Sequence, residues 1–417
     1  MKKSYYKSVL IFPLIDEHAH GSTIVEAENG DLLSAWFQGL GERWADDVRI
    51  MGARLKKGKD KWSEPFLMAD VPEFPDINPA MFIDSQSRLW LFWYTVIANQ
   101  WDTSLLKYRI SENYISSDSA PEWCWQDVLH VKPGGRSERG IQPDDPFVKS
   151  VERQIKEYTE YLKSIDTNDE AMEMWRKWNE KMLFHARGEN MMRKGHLYNK
   201  DGGYTEQEMG FAYFRRMGWQ TKNKAITVNN NRIILPLYSD GFEFSLMAIT
   251  DDYGKTWQFS DPLVGASNIQ PSIAIKADGT LVAYMRDNGF PPKRLHISES
   301  KDNGMTWSPV RNSELPNPGS GADIVTMKNG HWALAYNDTE NGRHSLAVSI
   351  STDEGKSWRY TRHLESGVFG ERLSGSYPAI IQGNDETLHV TYTYTDNISG
   401  KAIKHAHFNE EWIIEGV

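Results

Sequence analysis

Apolar residues are spaced in two ways along the chain, and the difference separates one segment from the rest. Over residues 147–165 they recur every three or four positions, and the same spacing returns over residues 171–182. This spacing predicts two helices, with the cap between them at residues 166–169. Elsewhere the apolar runs are short and end at Asn-Gly or Asp-Gly turns, which is typical of strands.

The predicted strands belong to a repeat whose clearest sign is the pattern Ser/Thr-x-Asp-x-Gly-x-x-Trp. Its three copies without a mismatch are Thr250, Asp252, Gly254 and Trp257; Ser300, Asp302, Gly304 and Trp307; and Ser351, Asp353, Gly355 and Trp358. The tryptophans lie 50 and 51 residues apart. A period of this size indicates a propeller with one four-stranded blade per repeat. The Asp and Ser or Thr side chains bond backbone amides and close a turn.

A second repeated element, a predicted strand that begins near a proline and runs to a turn, gives the number of blades. It occurs in six places, at residues 20–30, 78–87, 222–231, 270–279, 321–330 and 377–386. Less regular copies of the turn pattern surround Trp62, Trp125 and Trp412. We expect residues 9–11 to pair with the last blade, because this would remove the free edge of the ring.

These patterns predict an all-β protein, a six-bladed β-propeller that forms a single domain over residues 1–417. The distance from Trp125 to Trp257 is about eighty residues too long for one blade. We therefore place a helical hairpin insertion at residues 143–200, after the second blade.

Composition and charge limit the partners of the protein. Acidic residues exceed basic residues by ten and no Lys/Arg block is present, which argues against nucleic acid. No apolar run is long enough to cross a bilayer, so we expect no membrane partner. The lone cysteine, Cys124, excludes a disulfide within the chain, and residues 8–15 are interpreted as a strand and not as a secretion signal. We expect a cytoplasmic protein, or a secreted or periplasmic one if a signal peptide has been removed from this sequence, and the oligomeric state is left open.

The repeat also predicts which polar side chains converge at the propeller axis, because the first strand of each blade lies there. Each blade contributes one. These are His20, Asn78, Lys222 or Lys224, Gln270, Asp323 and Tyr377. Mixed polar groups around one pocket suit a carbohydrate.

The three regular turn motifs resemble the Asp-box, or BNR repeat, of the sialidase (neuraminidase) superfamily, and the resemblance covers nearly the whole chain outside the insertion. It implies a sialidase-like propeller with the boxes on outer turns, away from the active site. It also implies a site in which three arginines hold the carboxylate of the sugar. A tyrosine supported by a glutamate is the nucleophile there, and an aspartate is the acid/base.

The same resemblance assigns these parts to positions of this chain. Arg286 resembles the second arginine and Arg343 the third. Tyr377 matches the nucleophile, and Asp47, or Asp46 beside it, lies in the loop where the acid/base is found.

Two positions depart from the family pattern. His20 stands where the first arginine is expected, and an imidazole cannot hold a carboxylate through two parallel bonds as a guanidinium does. Gln270 stands where the glutamate is expected, and an amide cannot take the proton of the tyrosine. The remaining groups predict a pocket for an acidic sugar other than ordinary sialic acid.

The first hypothesis for function is an exo-acting glycoside hydrolase that releases a terminal acidic sugar, sialic acid or a related keto or uronic acid, from a glycan. Its predicted catalytic residues are Asp47, Tyr377 and His20, and Arg286 and Arg343 bind the carboxylate. Gln270, Asn78, Lys222 and Asp323 complete the predicted binding residues.

Two other hypotheses stay open. One is a uronate-specific polysaccharide lyase, similar to propeller ulvan lyases, with His20 as base and Tyr377 as acid. Propeller rhamnosidases that depend on a single histidine are a further resemblance through His20. The other hypothesis is a non-catalytic glycan-binding propeller. No cofactor and no metal are predicted, because the pairs His18 with His20 and His405 with His407 each lack a third ligand in the sequence.

Overall fold

The chain forms a ring of six antiparallel sheets in the computed structural model, which describes residues 3–115, 118–134, 140–396 and 400–416. The first strands of blades 4, 5, 6, 1 and 2 contact one another in this order around the centre, and blade 3 contacts the first strand of blade 4 through its second strand. This is a six-bladed β-propeller, as the repeat predicts.

In blades 1 to 5 the strands follow one another in the sequence, from the axis outwards. Blade 1 consists of His18–Glu26, Leu32–Gly39, Arg49–Leu55 and Phe66–Ala69. Blade 2 consists of Asp76–Ile83, Leu89–Ile97, Gln100–Ser111 and Trp125–Val128. Blade 3 has a first strand in two pieces, Trp219–Gln220 and Ile226–Val228, followed by Arg232–Ser239, Phe244–Thr250 and Gln258–Phe259.

The second half of the ring repeats this order. Blade 4 consists of Asn268–Ile275, Leu281–Asp287, Arg294–Ser300 and Arg311–Pro316. Blade 5 consists of Asp323–Thr326, Trp332–Tyr336, Ser345–Ser351 and Tyr360–Ser366. Blade 6 consists of Ser374–Gln382, Leu388–Thr395, Lys401–Phe408 and, as its fourth strand, Tyr6–Leu10.

The N-terminal strand closes the ring, as predicted. Tyr6–Leu10 pairs antiparallel with Lys401–Phe408, with Tyr6 opposite Phe408. The ring of Tyr6 also stacks on Trp412 at 4.4 Å, and Trp412 lies in the short helix Glu410–Ile414 that follows the last strand. The blade therefore combines strands from both ends of the described chain, which protects its edge.

The regular turn motifs lie between the third and fourth strands of their blades. In blade 4 the hydroxyl of Ser300 donates to Asp302 Oδ1 at 2.8 Å, and the amide of Gly304 donates to that hydroxyl oxygen at 2.9 Å. The backbone of Gly304 has φ of 90°, a conformation that favours glycine. The motif is thus a closed local turn, and its side chains are occupied within it.

The insertion after blade 2 contains two helices, Pro146–Ser164 and Asp169–Ala186. The carboxylate of Asp145 caps the first, and the side chain of Asn168 caps the second by accepting from the amide of Ala171 at 2.9 Å. Neither these helices nor any other in the described part of the chain is long and apolar enough to cross a membrane.

The helices pack against blades 3 and 4. The ring of Phe147 contacts Phe242 at 5.7 Å, and Trp178 stacks on Phe290 at 5.8 Å. A hairpin of Met192–Tyr198 and Tyr204–Gly210 follows, then the short 3-10 helix Phe214–Arg216. The inserted segment therefore continues past residue 200 as strands. These strands are mostly exposed, and so they carry little apolar alternation that could predict them.

Candidate active site

A distortion shared by four first strands directs side chains towards the axis. The pairing register shifts by one residue in blades 1, 2, 4 and 6. The residues with positive φ at these shifts are Gly21 (62°), Asn78 (45°), Gln270 (54°) and Tyr377 (53°). Such β-bulges re-aim side chains and leave a backbone amide out of the ladder.

The bulges also explain the prolines. Pro79, Pro271 and Pro378 each follow a bulge residue, where no strand amide is required. The strands begin earlier than the sequence predicts, at Asp76, Asn268 and Ser374 in blades 2, 4 and 6. The proline marks the bulge inside each strand and not its start.

The register places Gly21, and not His20, at the position in blade 1 that corresponds to Asn78, Gln270 and Tyr377. His20 pairs with Phe37 just before the shift, as Ile77 pairs with Tyr94 in blade 2. A side chain at Gly21 would not fit, because its Cβ would lie 2.6 Å from Asn78 Oδ1. His20 therefore reaches the centre from one residue earlier in the strand.

Tyr377 lies at the centre of the polar ring. Its phenol oxygen accepts a hydrogen bond from Arg286 Nη1 at 2.7 Å and one from Gln270 Nε2 at 3.2 Å. The guanidinium of Arg343 lies 5.1 Å from the centre of the phenol ring, and the ammonium of Lys222 lies 5.8 Å from it. Donors and cations thus surround this oxygen, an arrangement that stabilises negative charge there.

A second set of hydrogen bonds connects Tyr377 to blades 2 and 3. Gln270 Nε2 also donates to the hydroxyl of Tyr238 at 3.4 Å, and Asn78 Nδ2 donates to the same hydroxyl at 3.2 Å. Asn78 Nδ2 lies 3.1 Å from the hydroxyl of Tyr94 as well. The predicted ring residues Asn78, Gln270 and Tyr377 therefore belong to one network, to which the structure adds Tyr94 and Tyr238.

His20 packs against the nucleophile candidate with the two rings tilted by 46° to each other. Its ring centre lies 4.2 Å from that of Tyr377, and a hydrogen bond of 2.7 Å joins its Nδ1 to Thr393 Oγ1. Burial lowers the pKa of His20 well below its usual value, and the positive charge of Arg343 lowers it further. The imidazole is therefore neutral near pH 7 and cannot replace the charge of the missing arginine.

Two partly exposed arginines and a buried lysine supply the positive charge of the site. Arg286 and Arg343 keep access to solvent, whereas Lys222 is buried and donates to the carbonyl of Pro378. Burial lowers the pKa of Lys222 to about 8, against the opposing charge of Asp323. The two arginines are therefore the groups that an acidic ligand can reach.

Asp323 lies among the inner strands and its oxygens are already engaged. One oxygen accepts from Lys224 Nζ at 2.7 Å and from the amide of Ile380 at 2.8 Å. The other accepts from the hydroxyl of Ser272 at 2.6 Å. Asp323 and Lys224 thus join blades 3, 4, 5 and 6. These contacts favour a structural role for both residues.

The structure places Asp46 and Asp47 on the exposed loop between the second and third strands of blade 1. Asp47 Oδ1 accepts from the amide of Leu40 at 3.0 Å. None of the described hydrogen bonds of Asp47 reaches the ring residues. The structure therefore brings Arg286, Arg343, Lys222, Gln270, Asn78, His20 and Tyr377 together, with Asp47 on a loop of the same blade as His20.

Two carboxylates near the ring are absent from the sequence-based prediction. Glu42, on the same loop as Asp47, lies 3.5 Å from His18 Nε2. Burial favours its neutral form, but the hydrogen bond to His18 and the charges of His18, Arg43 and Lys401 outweigh this and lower the pKa of Glu42. Glu42 is therefore an ionised partner for the cations of the site.

The second is Asp240, which directly follows the second strand of blade 3. Burial raises its pKa to about 6, and the charge of Glu243 adds to this while Arg286 opposes it. Such a carboxyl exchanges a proton near neutral pH, as a general acid requires. A signal for Asp240 exists in its position. It follows the second strand of blade 3, and Arg286 lies at the end of the second strand of blade 4.

Comparison with known proteins agrees with the fold and the repeat. The family described as a BNR repeat-like domain matches residues 30–142 and 214–390, more than half of the chain. A sialidase from Paraclostridium sordellii is 27% identical over 154 residues, which are 33% of this chain and 37% of the sialidase. The chain thus matches well under half the length of that relative.

Solved structures with the same fold cover almost the whole chain. A protein of unknown function from Dyadobacter fermentans is 14% identical, with a TM-score of 0.64 and coverage of 97% of this chain and 99% of that one. The intramolecular trans-sialidase from Ruminococcus gnavus is 13% identical, with a TM-score of 0.58 and coverage of 95% of both chains. The repeat match and these comparisons lead to one family: the chain is a BNR-repeat protein of the sialidase superfamily.

Proposed function

We propose that this protein is a glycoside hydrolase that releases a terminal acidic sugar from a glycan. The observation that carries the proposal is the position of Tyr377 at the propeller axis. Its oxygen lies 2.7 Å from Arg286 Nη1, and Arg343 lies over its ring. A nucleophile and two carboxylate-binding groups are thus within reach of one sugar.

In the proposed reaction the two arginines hold the carboxylate of the sugar. The phenolate oxygen of Tyr377 attacks the anomeric carbon, while the bond from that carbon to the leaving oxygen breaks. An acid protonates the leaving oxygen. Water then attacks the anomeric carbon of the glycosyl-tyrosine and gives a proton to the same acid/base, the bond to Tyr377 breaks, and the sugar and the phenolate are released.

Two residues are proposed for the acid/base. Asp47 is the residue that the family resemblance implies. Asp240 is the one whose pKa, about 6 through burial and the charge of Glu243, suits proton transfer near neutral pH. Substitution of each by asparagine separates them, because loss of the acid reduces kcat most for substrates with poor leaving groups.

The departures from the family pattern limit the proposed substrate. Gln270 donates to Tyr377 and takes no proton from it, so stabilisation of the phenolate falls to Arg286, Arg343 and Lys222. A neutral His20 leaves one carboxylate-binding charge missing. We therefore propose an acidic sugar other than ordinary sialic acid, a related keto or uronic acid, within an acidic oligosaccharide.

A second candidate is a uronate lyase, and the contact between His20 and Tyr377 favours it. A neutral imidazole that lies 4.2 Å from the phenol ring provides a base for the proton at C5 beside an acid for the leaving oxygen. Elimination would form a conjugated, unsaturated uronate and consume no water.

The test compares wild-type protein with Tyr377→Phe on fluorogenic sialosides, related keto-acid glycosides and uronate oligosaccharides. Released sugar and ultraviolet absorbance are followed together. Sugar release without new absorbance, lost in Tyr377→Phe, supports the hydrolase, whereas new absorbance supports the lyase. Glycan binding without any turnover would overturn both and favour a binding propeller.

A further inference from the structure

A cluster of histidines lies on one face of blade 6, away from the axial site. His389 and His407 are directly opposite each other on neighbouring strands, and their rings stack with centres 4.1 Å apart. Asp385 lies in the turn that precedes the strand of His389. One ligand atom from each of these three residues lies within 4.8 Å of the other two.

The cluster provides the third ligand that the sequence analysis did not find for His407. His405 and His407 form a pair two residues apart in the sequence. Strand pairing places His389, 18 residues earlier in the chain, opposite His407, and the adjoining turn adds Asp385. The donor set is then two imidazoles and one carboxylate, which suits Zn²⁺ and related transition metals.

Neighbouring side chains hold the rings in place. A hydrogen bond of 3.0 Å joins His389 Nδ1 to Nε2 of the buried His405, which leaves Nε2 of His389 for a ligand. The hydroxyl of Tyr5 lies 3.3 Å from His407 Nδ1. Metal-bound histidines commonly have such a partner at their second ring nitrogen.

The cluster lines a cavity of about 300 Å³ between blades 6 and 1. The hydroxyl of Thr387 bridges two of the donors, 2.6 Å from Asp385 Oδ1 and 2.7 Å from His407 Nε2. In a tetrahedral zinc site the donors are about 3.4 Å apart, so the side chains must close by roughly 1 Å as this hydroxyl moves aside. The cavity leaves room for water as a fourth ligand.

We propose that Asp385, His389 and His407 bind one divalent transition-metal ion of the Zn²⁺ type, with a fourth coordination position open to the cavity. The ion also stabilises the ring closure. His407 lies opposite Lys7 of the N-terminal strand, and Tyr5 contacts His407 from the same segment. The site is separate from the proposed glycosidase centre and does not depend on it.

The test is calorimetric titration of ZnCl₂ into the full-length protein after removal of metals with EDTA. One ion should bind per chain, and the melting temperature should rise with Zn²⁺ concentration. Co²⁺ should give the visible absorption bands of a four- or five-coordinate site with nitrogen ligands. His407→Gln and Asp385→Asn should each weaken binding about tenfold or more.

His363→Gln is the matched control, because His363 forms a pair with Asp338 at 2.8 Å elsewhere on the surface and belongs to no group of three metal-ligating side chains among the described residues. It should leave binding unchanged. Asp385 is exposed, so Asp385→Asn keeps the test valid if a histidine variant fails to fold. Absence of Zn²⁺ binding to wild-type protein would overturn the proposal. Wild-type affinity for Zn²⁺ in both Asp385→Asn and His407→Gln would also overturn it.

Discussion

At the scale of single residues, Tyr377 combines an unfavourable backbone with an unusual set of neighbours. A non-glycine residue with φ of 53° costs about 1–3 kcal/mol, and such strain often occurs at functional sites. Here it turns the phenol towards Arg286 and Gln270. The backbone therefore places the oxygen where positive charge and hydrogen-bond donors are concentrated.

Tyr377→Phe should abolish the proposed hydrolysis, because it removes only the attacking oxygen. We expect kcat to fall at least about a hundredfold with the fold intact by circular dichroism. Tyr198→Phe, on the exposed hairpin, is the matched control and should keep full turnover. Wild-type rates in Tyr377→Phe would exclude this residue as the nucleophile.

Arg286→Lys should weaken substrate binding more than it slows the chemical step. Lysine keeps the charge but loses the paired donors that fit a carboxylate, so KM should rise about tenfold. Steady-state kinetics on the acidic substrate measure this. Arg311→Lys, on the outer strand of the same blade, should change neither constant, and an unchanged KM in Arg286→Lys would place the carboxylate elsewhere.

Asp240 should make stability fall as pH rises. Its folded pKa of about 6 lies above the usual 3.8, so between these values the folded protein binds more protons than the unfolded chain. The free energy of unfolding then decreases as pH rises through this window.

Asp240→Asn removes this dependence on pH. The free energy of unfolding of the variant, relative to that of wild type, should therefore increase from pH 4 to pH 7. Urea unfolding at both pH values measures the difference. A gap between the two proteins that stays constant with pH would contradict the raised pKa.

The residue scale also shows what the sequence could predict about the site. The convergence of Arg286, Gln270 and Tyr377 follows from repeat phase and family resemblance, because each lies at a fixed place in its blade. Glu42 was missed because its position depends on how the loop between two strands folds, whereas the position of Asp240 directly after the second strand of its blade was a usable signal. Burial, which sets the pKa of Asp240, has no local signal in the sequence.

At the scale of single elements, the most predictable features are those closed by local chemistry. The turn around Asp302 is held by bonds between residues at most four apart, so a short motif contains all the necessary information. The same holds for the capped helices. The hairpin at residues 192–210 has no such motif and is exposed, and the sequence did not predict it.

Asp302→Ala should destabilise the protein by about 1 kcal/mol, because the turn loses the bonds that Ser300 and the Thr306 amide donate to the carboxylate, while water can solvate the exposed Thr306 amide. Unfolding in urea measures this, and the kinetic constants should not change. Asp60→Ala, which breaks an exposed pair with Lys7, is the control and should cost little. Loss of activity in folded Asp302→Ala would place this turn nearer the site than the structure does.

At the scale of the whole molecule, closure of the ring depends on one short strand. Tyr6–Leu10 covers the edge of Lys401–Phe408, and the axial residues come from blades that this closure holds together. The blade count was predictable because the repeat is regular. The position of the inserted helices against blades 3 and 4 was not predictable. Their apolar faces indicate that the helices are buried, but not which surface of the propeller covers them.

Deletion of residues 1–12 should expose the edge of the last blade. We expect a lower melting temperature and self-association through the free strand, seen as a higher mass by light scattering than for the full chain. A truncated protein with unchanged mass and melting temperature would mean that the other three strands of blade 6 suffice.

The glycine in the ring has a consequence for how this protein can diverge. Asn78 and Gln270 lie on a backbone that is already bent, so point mutations there can change the chemistry of the polar ring without rearranging the strands. Gly21 is different, since any side chain would meet Asn78 and Phe37, at 2.6 and 2.7 Å from the Cβ. A side chain at position 21 therefore requires a second substitution that makes room for it. Selection experiments that randomise position 21 should randomise position 78 with it.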